Sequence, residues 1–332
     1  MFTKSDVHYF IGSDFASSLK LYSLPENFAQ EISNHSNVNK LLVTAALDDL
    51  SDSGCQIFFG HRITTSHVVK MSNLKWIHLG TSGYDKIDLS LCRERGIVVT
   101  NSSTLIAESL ATHALSFVLS LMRNSYFNLT INDSEDFTRE AFDFNFQRLK
   151  TPQTSKALIF GSGNASIALA AWLAGLGFQI GVVSVSKRRI ENLPPGVSQI
   201  EAREADDVLG AQDFVINLLP QRDDTVNYFD EKRFTKMGSN SYYISVGRGG
   251  TTNEQDLINS LRQRRIAGAG LDVFSNEPLD SNSPFFECKN VIMTPHVAAV
   301  NRDYWPVQVA FFLKNLENFA LGQKMRNVLE AQ

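Results

Sequence analysis

Along the first hundred positions, apolar residues fall in short runs separated by polar or helix-length stretches. The runs at 7–11, 41–44, 56–59, 75–79 and 97–100 read as strands. Strands alternating with helical segments imply a parallel sheet with crossover helices. At 107–122 the pattern changes to one long, mostly apolar helix, which predicts a buried segment running between two lobes. A second, more regular series follows at 157–160, 180–183, 214–218, 242–246, 267–273 and 291–294, and it reads as a doubly wound open sheet. One more helix is predicted at 305–321.

The segment 124–154 breaks the alternation. It is polar with weak periodicity, and Phe127, Phe137, Phe142, Phe144 and Phe146 give it apolar surface to bury. It reads either as a surface excursion or as an arm against a partner subunit.

A chain of 332 residues exceeds the size at which one core usually stops growing, so two lobes are expected. A net charge of −4 gives no basic footprint for nucleic acid. The histidines lack metal-ligand spacing, so no metal is expected. Residues 1–6 have no apolar signal core, and no run approaches a membrane span. Cys55, Cys92 and Cys288 are sparse and odd in number, which fits a reducing compartment. A cytoplasmic protein is expected.

The run ending at Phe160 leads into Gly161-Ser162-Gly163-Asn164-Ala165-Ser166, and a helix is predicted from Ile167 to Gly175 or Gly177. Strand, glycine turn and helix, in that order, are what a dinucleotide fingerprint requires. Gly161 suits the tight turn, and Gly163 lets backbone approach a pyrophosphate at the helix N-terminus. Ser166 takes the third position, where glycine or alanine is usual. After the second strand the chain reads Ser184-Val185-Ser186-Lys187-Arg188-Arg189, with no acid before Glu191. An NAD site normally places Asp or Glu there on the ribose hydroxyls. Ser184, Ser186, Lys187 and Arg188 instead suit a ribose phosphate, so NADP is favoured and NAD remains the alternative.

Three side chains suit a keto acid. Arg248, in Val246-Gly247-Arg248-Gly249-Gly250, offers a planar fork to a carboxylate and a carbonyl oxygen. His296, in Thr294-Pro295-His296, can deliver a proton near neutral pH, and a carboxylate such as Glu277 would orient its ring. Tyr84, Tyr304 and Trp305 either line a substrate pocket or belong to the core.

These motifs, with Leu74-Lys75-Trp76-Ile77-His78-Leu79-Gly80-Thr81-Ser82-Gly83-Tyr84-Asp85, resemble the D-isomer-specific 2-hydroxyacid dehydrogenase family over residues 74–300. The NADPH-linked glyoxylate/hydroxypyruvate reductase branch is the most similar. The resemblance implies an α/β fold of two Rossmann-like lobes with doubly wound parallel sheets. A flavodoxin-like substrate lobe at 1–104, completed by 301–332, would close over a cofactor lobe at 105–300. It implies that Arg248 binds substrate, that His296 is the acid and base, and that Glu277 is its partner. It implies that N–H groups near Ser82 and Gly83 grip the substrate carboxylate. Cofactor contacts are implied for Leu219, Pro220, Thr225, Val246 and Gly247, with Asp272 on the nicotinamide carboxamide. A homodimer through the cofactor lobe is also implied. A dinucleotide-sensing corepressor on the same fold is the rival reading, and Glu277 argues against formate-type chemistry, where glutamine pairs the histidine.

Overall fold

The computed structural model describes residues 9–13, 23–50, 54–125, 149–186, 189–190 and 192–330. They divide into two compact units, Met1–Ile106 with Val300–Gln332, and Ala107–Ala299.

In the first unit, the elements are β1 (Tyr9–Ser13), α1 (Glu26–Ser33), β2 (Val38–Val43), β3 (Ile57–Gly60), α2 (Thr65–Lys70), β4 (Trp76–Leu79), α3 (Leu89–Glu94) and β5 (Val98–Asn101). All strand pairs are parallel, in the order β2-β1-β3-β4-β5, the flavodoxin-like arrangement. Strands β3 and β4 are buried at every residue. A parallel sheet covered on both faces needs unbroken apolar runs, and this is why they were legible as runs rather than alternations.

The second unit holds α4 (Ala107–Met122), β6 (Lys156–Phe160), α5 (Asn164–Leu176), β7 (Gln179–Ser184), β8 (Val197–Glu201), α6 (Ala202–Val208), β9 (Phe214–Asn217), α7 (Glu231–Lys236), β10 (Tyr242–Ser245), α8 (Glu254–Arg262), β11 (Gly268–Leu271) and β12 (Val291–Met293). Its parallel sheet runs β12-β11-β10-β9-β6-β7-β8. The order reverses between β6 and β9, and ligands of such sheets bind beyond the strand C-termini at that switch point. The last helix, α9 (Tyr304–Ala320), belongs to the first unit, where Phe312 stacks on Phe59 and Trp76 at 4.4 and 5.1 Å.

Several details differ from the sequence reading. Strand β8 was not expected. Val197-Ser198-Gln199-Ile200-Glu201 has no buried residue, and only the parallel ladder to β7 makes it an edge strand. Helix α4 is buried on one side rather than on most, because Glu108, Thr112, Ser116 and Leu119 form an exposed stripe at helical spacing. Helix α5 begins at Asn164, directly on the glycine turn, three residues earlier than predicted. Strands β9 to β12 stop before Leu218, Val246, Asp272 and Thr294, which become loop positions. Most of the 124–154 segment, with its five phenylalanines, lies outside the described residues, as does Val7. Among the described residues, no helix is long and apolar enough to cross a membrane.

Candidate active site

The turn after β6 is fixed by sterics. Gly161 has φ 118°, and a Cβ there would stand 2.9 Å from the Leu218 carbonyl oxygen. Only glycine accepts both the angle and the approach. Its N–H donates to Val183 at 3.0 Å, while Leu218 N–H donates to Phe160 at 2.8 Å, so the turn is locked between β7 and β9. Gly163 is the N-cap of α5 and has no side chain to cap the helix, and a Cβ there would meet nothing within 4 Å. Uncapped N–H groups at a helix N-terminus facing open space form an anion site. Ser162, Gly163 and Asn164 are exposed there, with Ala165 half-buried. Ser166, the departure from the usual third glycine, is buried, and its hydroxyl lies 3.3 Å from where a Gly161 Cβ would be.

At the end of β7, the Ser184 hydroxyl is 3.3 Å from those of Ser162 and Ser186. This chain of hydroxyls joins the glycine turn to the ribose end of the expected cofactor. Ser184 itself is buried and Ser186 exposed. Lys187 and Arg188 lie outside the described residues. A dinucleotide therefore fits what is present: an uncapped helix start, open space before Gly163, and no acid at the end of β7.

Some expected cofactor contacts are engaged inside the protein. Thr225 is fully buried, and its hydroxyl donates to Pro220 O at 2.6 Å and accepts from Arg222 N–H at 2.8 Å. It shapes the 220–225 turn rather than presenting its hydroxyl to a ligand. Leu219 and Val246 are buried, and a Cβ on Gly247 would stand 2.6 Å from Leu219 O, so these loops pack backbone to backbone. Pro220 is exposed. The Asp272 carboxylate is also committed to the protein. It is fully buried and accepts from the Thr294 hydroxyl at 2.6 Å and from Val297 and Ala298 N–H at 2.9 Å each. The carboxylate thereby ties down the loop 294–298.

That loop carries His296 at φ 54°, a left-handed angle costing a non-glycine residue roughly 1–2 kcal/mol. Four bonds to Asp272 offset the cost, the three to its carboxylate and one from His296 N–H to its carbonyl at 2.8 Å. The result is that His296 Nδ1 lies 2.6 Å from Glu277 Oε2. An ionised carboxylate only accepts, so Nδ1 carries the proton. The second Glu277 oxygen accepts from Phe274 N–H at 2.9 Å, which fixes the carboxylate plane. Burial pushes the Glu277 carboxyl up. The hydrogen bonds from His296 and Phe274, and the nearby charges of His296 and Arg248, outweigh it and leave the group below its ordinary value.

Arg248 follows β10 and is half-buried, its Nη1 donating to Gly247 O at 2.8 Å. A Cβ on the adjacent Gly249 would stand 2.0 Å from the Phe274 carbonyl carbon. The two loops therefore touch through backbone, and this contact brings the guanidinium within electrostatic range of Glu277. Arg248, Glu277 and His296 thus come together in one unit from three loops.

Ser82 and Gly83 belong to the other unit, in the loop after β4. Asn101 Nδ2 donates to Ser82 O at 2.8 Å and the Thr81 hydroxyl to Gly83 O at 3.0 Å. Both carbonyls are held, and among the described residues no acceptor meets either N–H. Tyr304 donates to Gly80 O at 3.1 Å and lies 2.7 Å from His61 Nε2, whereas Trp305 is core. Two partners escaped the sequence reading. Thr294 was noticed only as part of its tripeptide, and His113 only as one position of an apolar helix. Among the described residues, no group of side chains could hold a metal ion.

Residues 115–298 match the family described as D-isomer specific 2-hydroxyacid dehydrogenase, NAD binding domain. The chain is 26% identical over 325 residues to a glyoxylate/hydroxypyruvate reductase B of Klebsiella pneumoniae subsp. pneumoniae, covering 95% of this chain and 98% of the relative. A Pyrococcus horikoshii OT3 protein of known crystal structure shares the fold with a TM-score of 0.81 at 23% identity, covering 98% and 96% of the two chains. An NADPH-dependent glyoxylate/hydroxypyruvate reductase from Sinorhizobium meliloti, solved with NADP and sulfate, does so with a TM-score of 0.74 at 22% identity, covering 97% and 98%. With the glycine turn, the switch-point sheet and a match that spans most of the second unit, the chain belongs to the D-isomer specific 2-hydroxyacid dehydrogenases, a family of NAD(P)-dependent oxidoreductases.

Proposed function

We propose that the protein reduces a small 2-keto acid, of glyoxylate or hydroxypyruvate type, to the D-2-hydroxy acid with NADPH. The observation that carries this reading is the 2.6 Å pair of His296 Nδ1 and Glu277 Oε2 beside Arg248. A bound nicotinamide supplies hydride to the carbonyl carbon. Arg248 holds the substrate carboxylate and the carbonyl oxygen, with a fork suited to both. As the carbon is reduced, His296 Nε2 gives its proton to the carbonyl oxygen, making the hydroxyl. The ring keeps its Nδ1 proton on Glu277, so imidazolium becomes neutral imidazole in one defined tautomer.

The glycine turn and the start of α5 would hold the pyrophosphate, with Ser184 and Ser186 at the adenosine ribose. NADPH is preferred over NADH because the chain from Ser184 to Ile190 carries three basic residues and no acid. The Sinorhizobium reductase, solved with NADP, supports the same preference. Asp272 serves by holding the loop of His296.

The test is a panel of glyoxylate, hydroxypyruvate, pyruvate and phenylpyruvate with either reduced cofactor, followed by loss of cofactor absorbance. Turnover of a small keto acid with NADPH is expected. Tight NADPH binding without turnover of any keto acid would replace this reading with that of a dinucleotide sensor.

A further inference from the structure

Helix α4 sets one polar ring against the ends of β11 and β12. Phe117 lies over Gly270, where a Cβ would stand 2.7 Å from the ring, and a larger residue would lift the helix. His113 is one turn earlier on the same face and packs edge-on against Phe117 at 4.8 Å. From there its Nε2 lies 2.8 Å from the Thr294 hydroxyl and 3.6 Å from Asp272 Oδ1. The hydroxyl has one hydrogen, and at 2.6 Å it goes to the Asp272 carboxylate, which only accepts. Thr294 must then accept from His113, so Nε2 is the protonated nitrogen. Burial keeps His113 below its ordinary range, with the Asp272 charge opposing, consistent with a neutral ring in that tautomer.

We propose that His113 is a positioning residue for His296. Its N–H orients the Thr294 hydroxyl onto Asp272, and Asp272 in turn holds loop 294–298 in the conformation that brings His296 to Glu277. This rests on the reading of His296 as proton donor. The apolar pattern of α4 calls for a leucine at this position; a leucine would pack on Phe117 but leave the Thr294 hydroxyl free to turn away. Glutamine, whose amide reaches about as far as Nε2, keeps the donor.

The experiment pairs kinetics with the pH titration of the His296 ring followed by NMR in the cofactor-free protein. For His113→Leu, kcat should fall about tenfold or more while the keto-acid KM changes less than about threefold, since loop misplacement acts on the chemical step. The His296 titration should shift with it. His113→Gln should restore most of both. Thr294→Val should reproduce the leucine phenotype, and the double variant should be no worse than either single one, because both remove the same link. An unchanged His296 titration in His113→Leu and Thr294→Val, or additive losses in the double variant, would overturn the proposal. If His113→Leu does not fold, Thr294→Val decides alone, since it leaves the ring packed on Phe117. His296→Ala separates the two readings. Retained turnover there would remove His296 as the acid, while the titrations would still judge its positioning.

Discussion

Glu277 and His296 stand nineteen positions apart, yet their side chains meet at 2.6 Å through Oε2 and Nδ1. The carboxylate thereby selects the tautomer and stabilises the charged ring. Glu277→Gln removes the negative charge and keeps the shape. The alkaline limb of the reduction profile should move to lower pH, because the imidazolium loses its partner. An unchanged profile would disconnect Glu277 from the acid.

The same pair sets a stability signature. The folded Glu277 carboxyl lies below its ordinary 4.5, so its contribution is present above that pH and is lost as pH falls through the lower folded value. Urea unfolding of wild type and Glu277→Gln should differ at pH 7, and the gap should close on acidification below 4.5. A gap that widens there contradicts the assignment.

Arg248→Lys keeps the charge and loses the fork. We expect kcat/KM for keto acids to drop about 100-fold or more, with the fold intact by circular dichroism. Near-normal activity would remove Arg248 from the substrate.

The two glycines of the turn should separate stability from binding. Gly161→Ala meets both φ 118° and a carbonyl at 2.9 Å, so it should destabilise by roughly 1–3 kcal/mol. Gly163→Ala has an ordinary φ of −82° and open space, so stability should stay within about 0.5 kcal/mol while dinucleotide affinity falls. Denaturation and calorimetric titration together check this; equal stability losses would place no anion at Gly163.

Replacing Lys187 and Arg188 with alanine should weaken NADPH much more than NADH, because only the former brings a ribose phosphate. Equal losses would move the preference elsewhere.

The alternation of apolar runs determined two parallel α/β units, because a covered parallel strand must be apolar throughout. The residue types narrowed the chemistry to be proposed, since few side chains can hold a carboxylate, orient a ring and move a proton. Short-range pattern could not reveal β8, whose polar residues become a strand only through the neighbouring ladder. Nor could it show the bonds that Thr225 and Asp272 make inside the protein, Thr225 within its own turn and Asp272 to the loop 294–298. The link from His113 through Thr294 to Asp272 spans 181 positions in its first step, and it exists because Phe117 settles on Gly270. Residue identity sets what a group can do; only packing across the sheet decides which partner it meets, because that contact depends on distances local sequence does not encode.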